Sequence, residues 1–333
     1  MARILVTGAS GFLGTALCEA LGRRGDEVLA LDLAVGVPLR RVAADWPRVR
    51  PVVGDLLEWP ALADLLRDQS PDAVLHCAAV VGVIASVGSP LRTMQVNVEG
   101  TLHLLECMRR SSTRRLLQVS TEEVYGAFTA PVADEEHPRN PVQAYGISKL
   151  ACEQLARTYA SVHGLECVNL RTSWVYGPGL PRDRVPRNLL AAAAAGRSCH
   201  LAGGGDAAID HTYLDDFVSG TLAALDHRGA HRFDAYHVAS GRAVTVREIV
   251  EAVRELVPGA DVSAEPGPYL HGPGVPAVRK GALDVSRAAA ELGWRPAHDI
   301  RSGLRRWLEV MRRTPEDPRQ PGSERAAPEE PHR

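Results

Sequence analysis

Three glycines at positions 8, 11 and 14, set directly behind a short apolar run, restrict what this chain can fold into more than any other feature. The segment reads Thr7-Gly8-Ala9-Ser10-Gly11-Phe12-Leu13-Gly14 and opens a helical pattern. Glycine at 8 permits a tight turn, and glycine at 11 lets the backbone approach a pyrophosphate. Glycine at 14 lets the helix pack closely on the strand. The free N–H groups and positive end of that helix then face the anion, with Phe12 and Leu13 beside it. A glycine triplet alone is weak; its place between a predicted strand and a predicted helix is the context it needs. Asp32 ends the second predicted strand, where a carboxylate takes the adenosine ribose hydroxyls and repels a 2′-phosphate. The expected cofactor is therefore NAD rather than NADP.

Short apolar runs alternate with helical stretches over the first half of the chain. Strands are predicted at 3–7, 27–32, 50–53, 72–76, 115–120 and 166–171, and helices near 12–24, 58–69, 90–112 and 145–163. Nearly continuous apolar strands read as strands covered on both faces, and their alternation with helices predicts a parallel sheet. The fold expected is α/β, a Rossmann-like doubly wound sheet over residues 1–171. A smaller mixed α/β substrate lobe is expected over 172–313, with helices near 185–196, 215–227, 245–257 and 302–312. The two lobes are expected to interleave. Residues 314–333 have many prolines and charges and no apolar periodicity, which predicts a disordered tail.

Composition excludes several classes. With 38 basic and 40 acidic residues the formal net charge is -2, so the basic footprint of a nucleic-acid binder is missing. The six cysteines are widely spaced with no Cys-x-x-Cys, which argues against a disulfide framework and against a metal site. No apolar run approaches the ~18 residues of a membrane span, and the N-terminus does not read as a signal peptide. A cytoplasmic enzyme with a small-molecule substrate is the expectation.

Tyr145 and Lys149 stand four apart on a predicted helix and so share a face. A lysine cation beside a phenol favours the phenolate, and the phenol becomes a usable general base. Other segments follow in order: Asp55-Leu56 after the third strand, His76-Cys77-Ala78-Ala79 after the fourth, and Asn97-Val98-Glu99-Gly100-Thr101 on a helix. With the Gly-x-x-Gly-x-x-Gly spacing, the chain resembles the extended short-chain dehydrogenase/reductases, the NAD-dependent epimerase/dehydratase family. The resemblance covers about residues 2–312. It implies cofactor contacts at Asp55, Leu56, Ala78, Ala79, Asn97, Tyr145 and Lys149, and a Thr121 hydroxyl that orients the reacting sugar hydroxyl. His76 and Cys77 read as packing residues.

The run Thr121-Glu122-Glu123 is similar to the segment in which sugar 4,6-dehydratases carry an acid and a C5 base. In an extended chain residues two apart share a face, so Thr121 and Glu123 are expected to face the site and Glu122 to point elsewhere. Two customary diphosphate ligands of the family are missing, with Trp174 in place of an Asn and Ile209 in place of an Arg. Arg279 looks like the remaining phosphate-binding Arg, with Arg187 or Lys280 as compensation, and Trp174 is a candidate to stack on sugar or base. The implied function is a nucleotide-sugar epimerase/dehydratase working through a transient 4-keto sugar. Dehydration, decarboxylation and epimerisation remain open as its second step, and a simple 4-epimerase or a net dehydrogenase of a sugar or sugar acid are the alternatives. The resemblance also implies a homodimer paired through the helices near 90–112 and 145–163, for which Leu102, Leu104, Leu105, Met108, Leu150 and Leu155 are the apolar candidates.

Overall fold

The apolar runs become the strands of one parallel sheet, and side-chain alternation divides them between two cores. The computed structural model describes residues 1–272 and 274–313; the predicted tail at 314–333 lies outside the described residues. The strands are β1 (Arg3–Thr7), β2 (Glu27–Asp32), β3 (Val49–Val53), β4 (Ala73–His76), β5 (Arg115–Thr121), β6 (Glu166–Thr172) and β7 (Ala235–His237). They lie in the order β7-β6-β5-β4-β1-β2-β3, and every neighbouring pair is parallel. Ile4, Val6, Ala73, Leu75 and Leu117 face one core, with Leu17 and Leu21 of helix Phe12–Arg24. Leu5, Val74 and Leu116 face the other, with Leu104 and Leu105 of helix Gly100–Arg109. The sheet is thus covered on both faces, as its apolar runs predict. The edge strand β3 departs from this, carrying Pro51 and an exposed Val53. An edge is where proline costs no ladder bond.

The order reverses between β1 and β4, so a crevice opens at their carboxyl ends, where open α/β sheets bind ligands. The glycine loop sits there. After β6 the chain leaves the sheet, and it returns at β7 before finishing in the smaller lobe. That lobe holds a three-stranded sheet of Trp174–Tyr176, Ala208–Tyr213 and Ala243–Thr245. Its core is formed by Leu189, Ile249, Val253, Leu304 and Trp307. Helix Val246–Leu256 starts with a reciprocal cap between Thr245 and Glu248, which satisfies two otherwise orphaned donors.

Three local features differ from the sequence reading. Helix Val37–Asp45 was not expected; it buries only Leu39 and Val42. A helix at Val83–Gly88 is also new. The single helix expected at 90–112 is divided into Pro90–Met94, a π-helical turn at Gln95–Glu99 and Gly100–Arg109.

Helix Ala144–His163 is fastened to the sheet by a buried ion pair. Arg171 on β6 donates from Nε and Nη2 to both carboxylate oxygens of Glu153 at 2.9 and 2.7 Å, and Ser120 on β5 donates to the same carboxylate at 2.6 Å. Both side chains are 1% exposed or less. Removing one partner of such a pair strands a charge, at a cost of about 3–5 kcal/mol. Glu153→Leu is expected to lower the unfolding free energy by about that amount, read by urea denaturation, while Glu153→Leu with Arg171→Met loses much less.

Candidate active site

The glycine loop is shaped by contacts that leave no room for side chains. Gly8 has φ +68°, and a Cβ there would stand 2.6 Å from the Ala78 nitrogen. A Cβ on Gly14 would stand 2.1 Å from the Gly8 oxygen. Gly11 caps helix Phe12–Arg24 without a side chain, so the first turn presents bare N–H groups. At the far side of the loop the Asp32 carboxylate accepts from Ser10 N at 2.9 Å and from Leu33 N at 2.7 Å. Two accepted bonds leave it with spare lone pairs.

A cavity of about 440 Å3 runs from this loop into the gap between the lobes. Gly8, Gly11, Phe12, Leu13, Gly14 and Asp32 line one end, and Asp55, Leu56, Ala78 and Ala79 line its wall. Thr121, Glu122, Glu123, Tyr145 and Trp174 line the other end. Two predicted residues lie behind the wall. Asn97 is buried, accepts from Val80 N at 2.7 Å and donates to the Val80 oxygen at 3.1 Å and to Ser148 Oγ at 2.9 Å. It therefore ties the segment after β4 to helix Ala144–His163. Lys149 donates to the Val119 oxygen at 2.8 Å, which anchors the same helix to β5.

Burial pushes the Tyr145 phenol up to about 12, while Arg182, a hydrogen bond with Thr121, and Arg184 pull it down. Arg182 and Arg184 are the cations that draw the phenol back, and the Lys149 ammonium is turned to the Val119 carbonyl. Gly146, next to Tyr145, lets the helix start press on the loop that carries the carboxylates. A Cβ there would stand 2.5 Å from the Glu123 oxygen.

The two carboxylates do not alternate. Residues Glu122–Tyr125 form a 3-10 turn capped by Thr121, whose hydroxyl accepts from Glu123 N. Alternation holds only for extended backbone, so the expectation that Glu122 points away is corrected: both carboxylates line the cavity. Their surroundings differ. Glu123 pairs with Lys280 at 3.0 Å. Glu122 is 1% exposed, its Oε2 lies 2.9 Å from Ser173 Oγ, and its Oε1 has no partner among the described residues. Ser173 Oγ also lies 2.5 Å from the Asp210 carbonyl oxygen. A hydroxyl has one proton. If it goes to the carbonyl, Glu122 must supply the other, which requires its carboxyl to be protonated. Burial likewise holds Glu122 well above the ordinary carboxylate range.

The predicted phosphate ligands are placed otherwise. Arg279 lines neither this cavity nor the adjoining one; its guanidinium donates to the Phe128 carbonyl, at 2.8 Å from Nε. Arg187 is paired with Asp183 outside the cavity. Arg92 lines it, and so do Arg182 and Arg184, the latter lying 4.0 Å over the Trp174 ring. The sequence reading passed over both, although they sit two apart just beyond the Tyr176-Gly177-Pro178 turn. His76 is buried between the hydroxyls of Thr7 and Thr101 at 2.7 and 3.0 Å. Cys77 lines the cavity, but burial pushes its thiol up to about 12, which makes it a poor nucleophile.

The cradle fits a dinucleotide: two glycines, Gly8 and Gly14, that no side chain can replace, bare helical N–H groups, and a carboxylate with spare lone pairs. The buried hydroxyl of Thr172, also on the cavity wall, has no partner among the described residues. The model of the NAD-dependent epimerase/dehydratase family matches residues 4–239. The chain belongs to that family. Its members include a UDP-glucose 4-epimerase of Mycolicibacterium smegmatis, 31% identical over 93% of this chain and 98% of the relative. A dTDP-glucose 4,6-dehydratase of Streptomyces antibioticus is 30% identical over 96% of this chain and 98% of its own. A UDP-glucuronic acid 4-epimerase of Bacillus cereus, solved with NAD, superposes with a TM-score of 0.83 at 26% identity, covering 93% of this chain and 99% of that one. The cofactor is NAD and the protein is an enzyme, as its family and these relatives show.

A carboxyl whose folded pKa is raised contributes its full stability below the ordinary carboxylate range and loses it as pH rises through the folded value. Glu122→Gln cannot ionise. Its melting temperature relative to the parent is expected to rise between about pH 4.5 and about pH 8; a constant difference would show a normally ionising Glu122.

Proposed function

We propose that this enzyme oxidises the C4 hydroxyl of a nucleotide sugar and then eliminates water from the 4-keto sugar across C5 and C6. The observation that carries this reading is the pair of neighbouring carboxyls in one cavity with Tyr145, one buried against Ser173 and the other held beside the Lys280 ammonium. NAD held along the glycine loop would supply the hydride chemistry, accepting one hydride from C4 and returning it to C6 of the 4-keto-5,6-ene as C5 regains a proton. Gly8, Gly11 and Gly14 would hold its pyrophosphate and Asp32 its ribose hydroxyls, where a 2′-phosphate would be repelled.

The work of the side chains follows from their positions. Thr121 orients the C4 hydroxyl, and Tyr145 removes its proton. Arg182 and Arg184 favour the phenolate that this demands. Once C4 is a ketone, the C5 proton is acidic. Glu123 takes it, the C5 electron pair becomes the C5–C6 double bond, and the C6–O bond breaks. Glu122 gives its proton to the departing hydroxyl, which leaves as water. Lys149 and Asn97 act through the helix and loop they anchor.

Tyr145→Phe is expected to lower turnover by ~10²–10⁴-fold while NAD binding, measured by calorimetry, is retained. Glu123→Gln is expected to keep C4 oxidation and stop C5 chemistry. Reduced-nicotinamide absorbance then appears and persists in a single turnover. Near-normal turnover of Glu123→Gln would favour simple 4-epimerisation, the activity named for several relatives. Accumulation of one reduced cofactor per sugar consumed would favour a net dehydrogenase.

We also propose a homodimer, on different residues from those the sequence suggested. Leu104, Leu105 and Met108 are spent in the core of this chain, with Leu102 and Leu155 packed against it, and Leu150 packs under the carboxylate turn. The apolar side chains left exposed on the neighbouring helices Pro90–Met94 and Ala144–His163 are Leu91, Met94, Ile147 and Val162. Light scattering at micromolar concentration is expected to give twice the chain mass, and Leu91→Glu with Ile147→Glu the single mass.

A further inference from the structure

Lys280 has no part in the cofactor cradle, yet the chain around it is built to deliver it to one atom. Its side chain is 2% exposed. The ammonium lies 3.0 Å from Glu123 Oε2 and 3.3 Å from the Gly126 oxygen, and 5.6 Å from the centre of the Phe128 ring. The residues on either side of it are locked. Phe128 N donates to the Arg279 oxygen at 2.9 Å, and the Arg279 guanidinium returns to the Phe128 oxygen. Ala282 N donates to the Pro131 oxygen at 3.0 Å. A Cβ on Gly281 would stand 2.1 Å from that same oxygen, so only glycine permits the approach. Arg279 thus serves as the outer strut of a bracket that carries Lys280 inward.

The bracket solves a problem that the two carboxyls create. Two adjacent carboxyls oppose each other's ionisation. Left alone, neither would be a dependable base. We propose that Lys280 is a positioning residue that holds Glu123 as the carboxylate, so that Glu123 is always the base and Glu122 always the acid. The proposal rests on the reading of Glu123 as the C5 base. The ammonium takes Oε2, and Oε1 makes no hydrogen bond among the described residues, which makes it the oxygen that receives the proton. The same cation also draws Glu122 toward its carboxylate form, although the hydrogen bond of Glu122 runs to Ser173. The other charged or titratable groups facing Glu123 are Tyr145 from helix Ala144–His163, and Arg184 and His271 from the loops of the smaller lobe. The two arms of positive charge differ in task, with Arg184 stacked on Trp174 and Lys280 in contact with the carboxylate.

The test is a carbon-13 titration of the NAD-bound enzyme labelled at glutamate side-chain carboxyls, with the Glu123 signal identified by its loss in Glu123→Gln. An opposite charge at contact distance shifts a carboxyl by about one to three pH units. In Lys280→Met the Glu123 titration is expected to move up by at least about one unit, a tenfold rise in proton affinity. Lys280→Arg should restore it, and it is the variant to titrate against the parent should the methionine chain fail to fold; there an upward move of a full unit despite the retained charge would overturn the proposal. An unchanged Glu123 titration in Lys280→Met also overturns it. If the titration moves as expected while Glu123→Gln turns over nucleotide sugar normally, Lys280 controls Glu123 but Glu123 is not the base. That outcome sinks the functional reading and leaves the electrostatic one standing.

Discussion

The buried pair of Arg171 and Glu153 is the interaction on which the chemistry-bearing end of the molecule depends. Tyr145, Lys149 and Glu153 follow one another at four-residue steps on helix Ala144–His163, so they share one face. Fixing Glu153 therefore sets the rotation of the helix and with it the direction of the phenol. The arginine does more than neutralise. It reaches the Tyr125 hydroxyl at 2.8 Å and the Glu135 carbonyl at 2.7 Å, and Tyr125 in turn meets His237 on β7. Three strands, the helix and the carboxylate turn are joined through one guanidinium. An apolar cluster of equal volume would bury the same area, but it would not specify direction as a planar fork of donors does.

Charge is distributed across the site by backbone placement more than by residue choice. Two glutamates next to each other in sequence have different partners because a 3-10 turn sends one toward Ser173 and the other toward Lys280. Lys149, a residue whose type suggests an electrostatic task, is turned to a carbonyl and fixes geometry. Arg182 and Arg184 lie closer to that task. Residue type limits what a side chain can do, and the backbone decides which of those things it does.

That division explains what was legible in the sequence. The parallel sheet could be read because each strand is a local apolar run, and the glycine loop because each glycine answers a local steric demand. The line-up of Thr121, Tyr145 and the glutamates along the cavity follows from where strands end. The orientation of Glu122 was not legible, since it depends on a short turn with no period of its own. Arg279 was misread for another reason. Its partner, the Phe128 carbonyl, lies 151 residues away in sequence, and no spacing rule connects the two. Lys280 and Glu123, 157 residues apart, escaped in the same way. The helix expected at 90–112 has continuous helical character, and hydropathy does not register one extra residue in a turn.

That extra residue has a consequence for how the chain tolerates change in length. In the π-helical turn Gln95–Glu99 the Gly100 N–H reaches back to the Gln95 oxygen, five residues rather than four, and the surplus is absorbed without rotating the helix on either side. Deleting one residue there would restore ordinary helix and leave Leu104 and Leu105 in their core. What it would take away is the bulge from which Asn97 grips both the N–H and the carbonyl of Val80. The turn behaves as a removable insert for Leu104 and Leu105, while the segment after β4, which forms one wall of the cofactor cleft, would lose its tie to helix Ala144–His163.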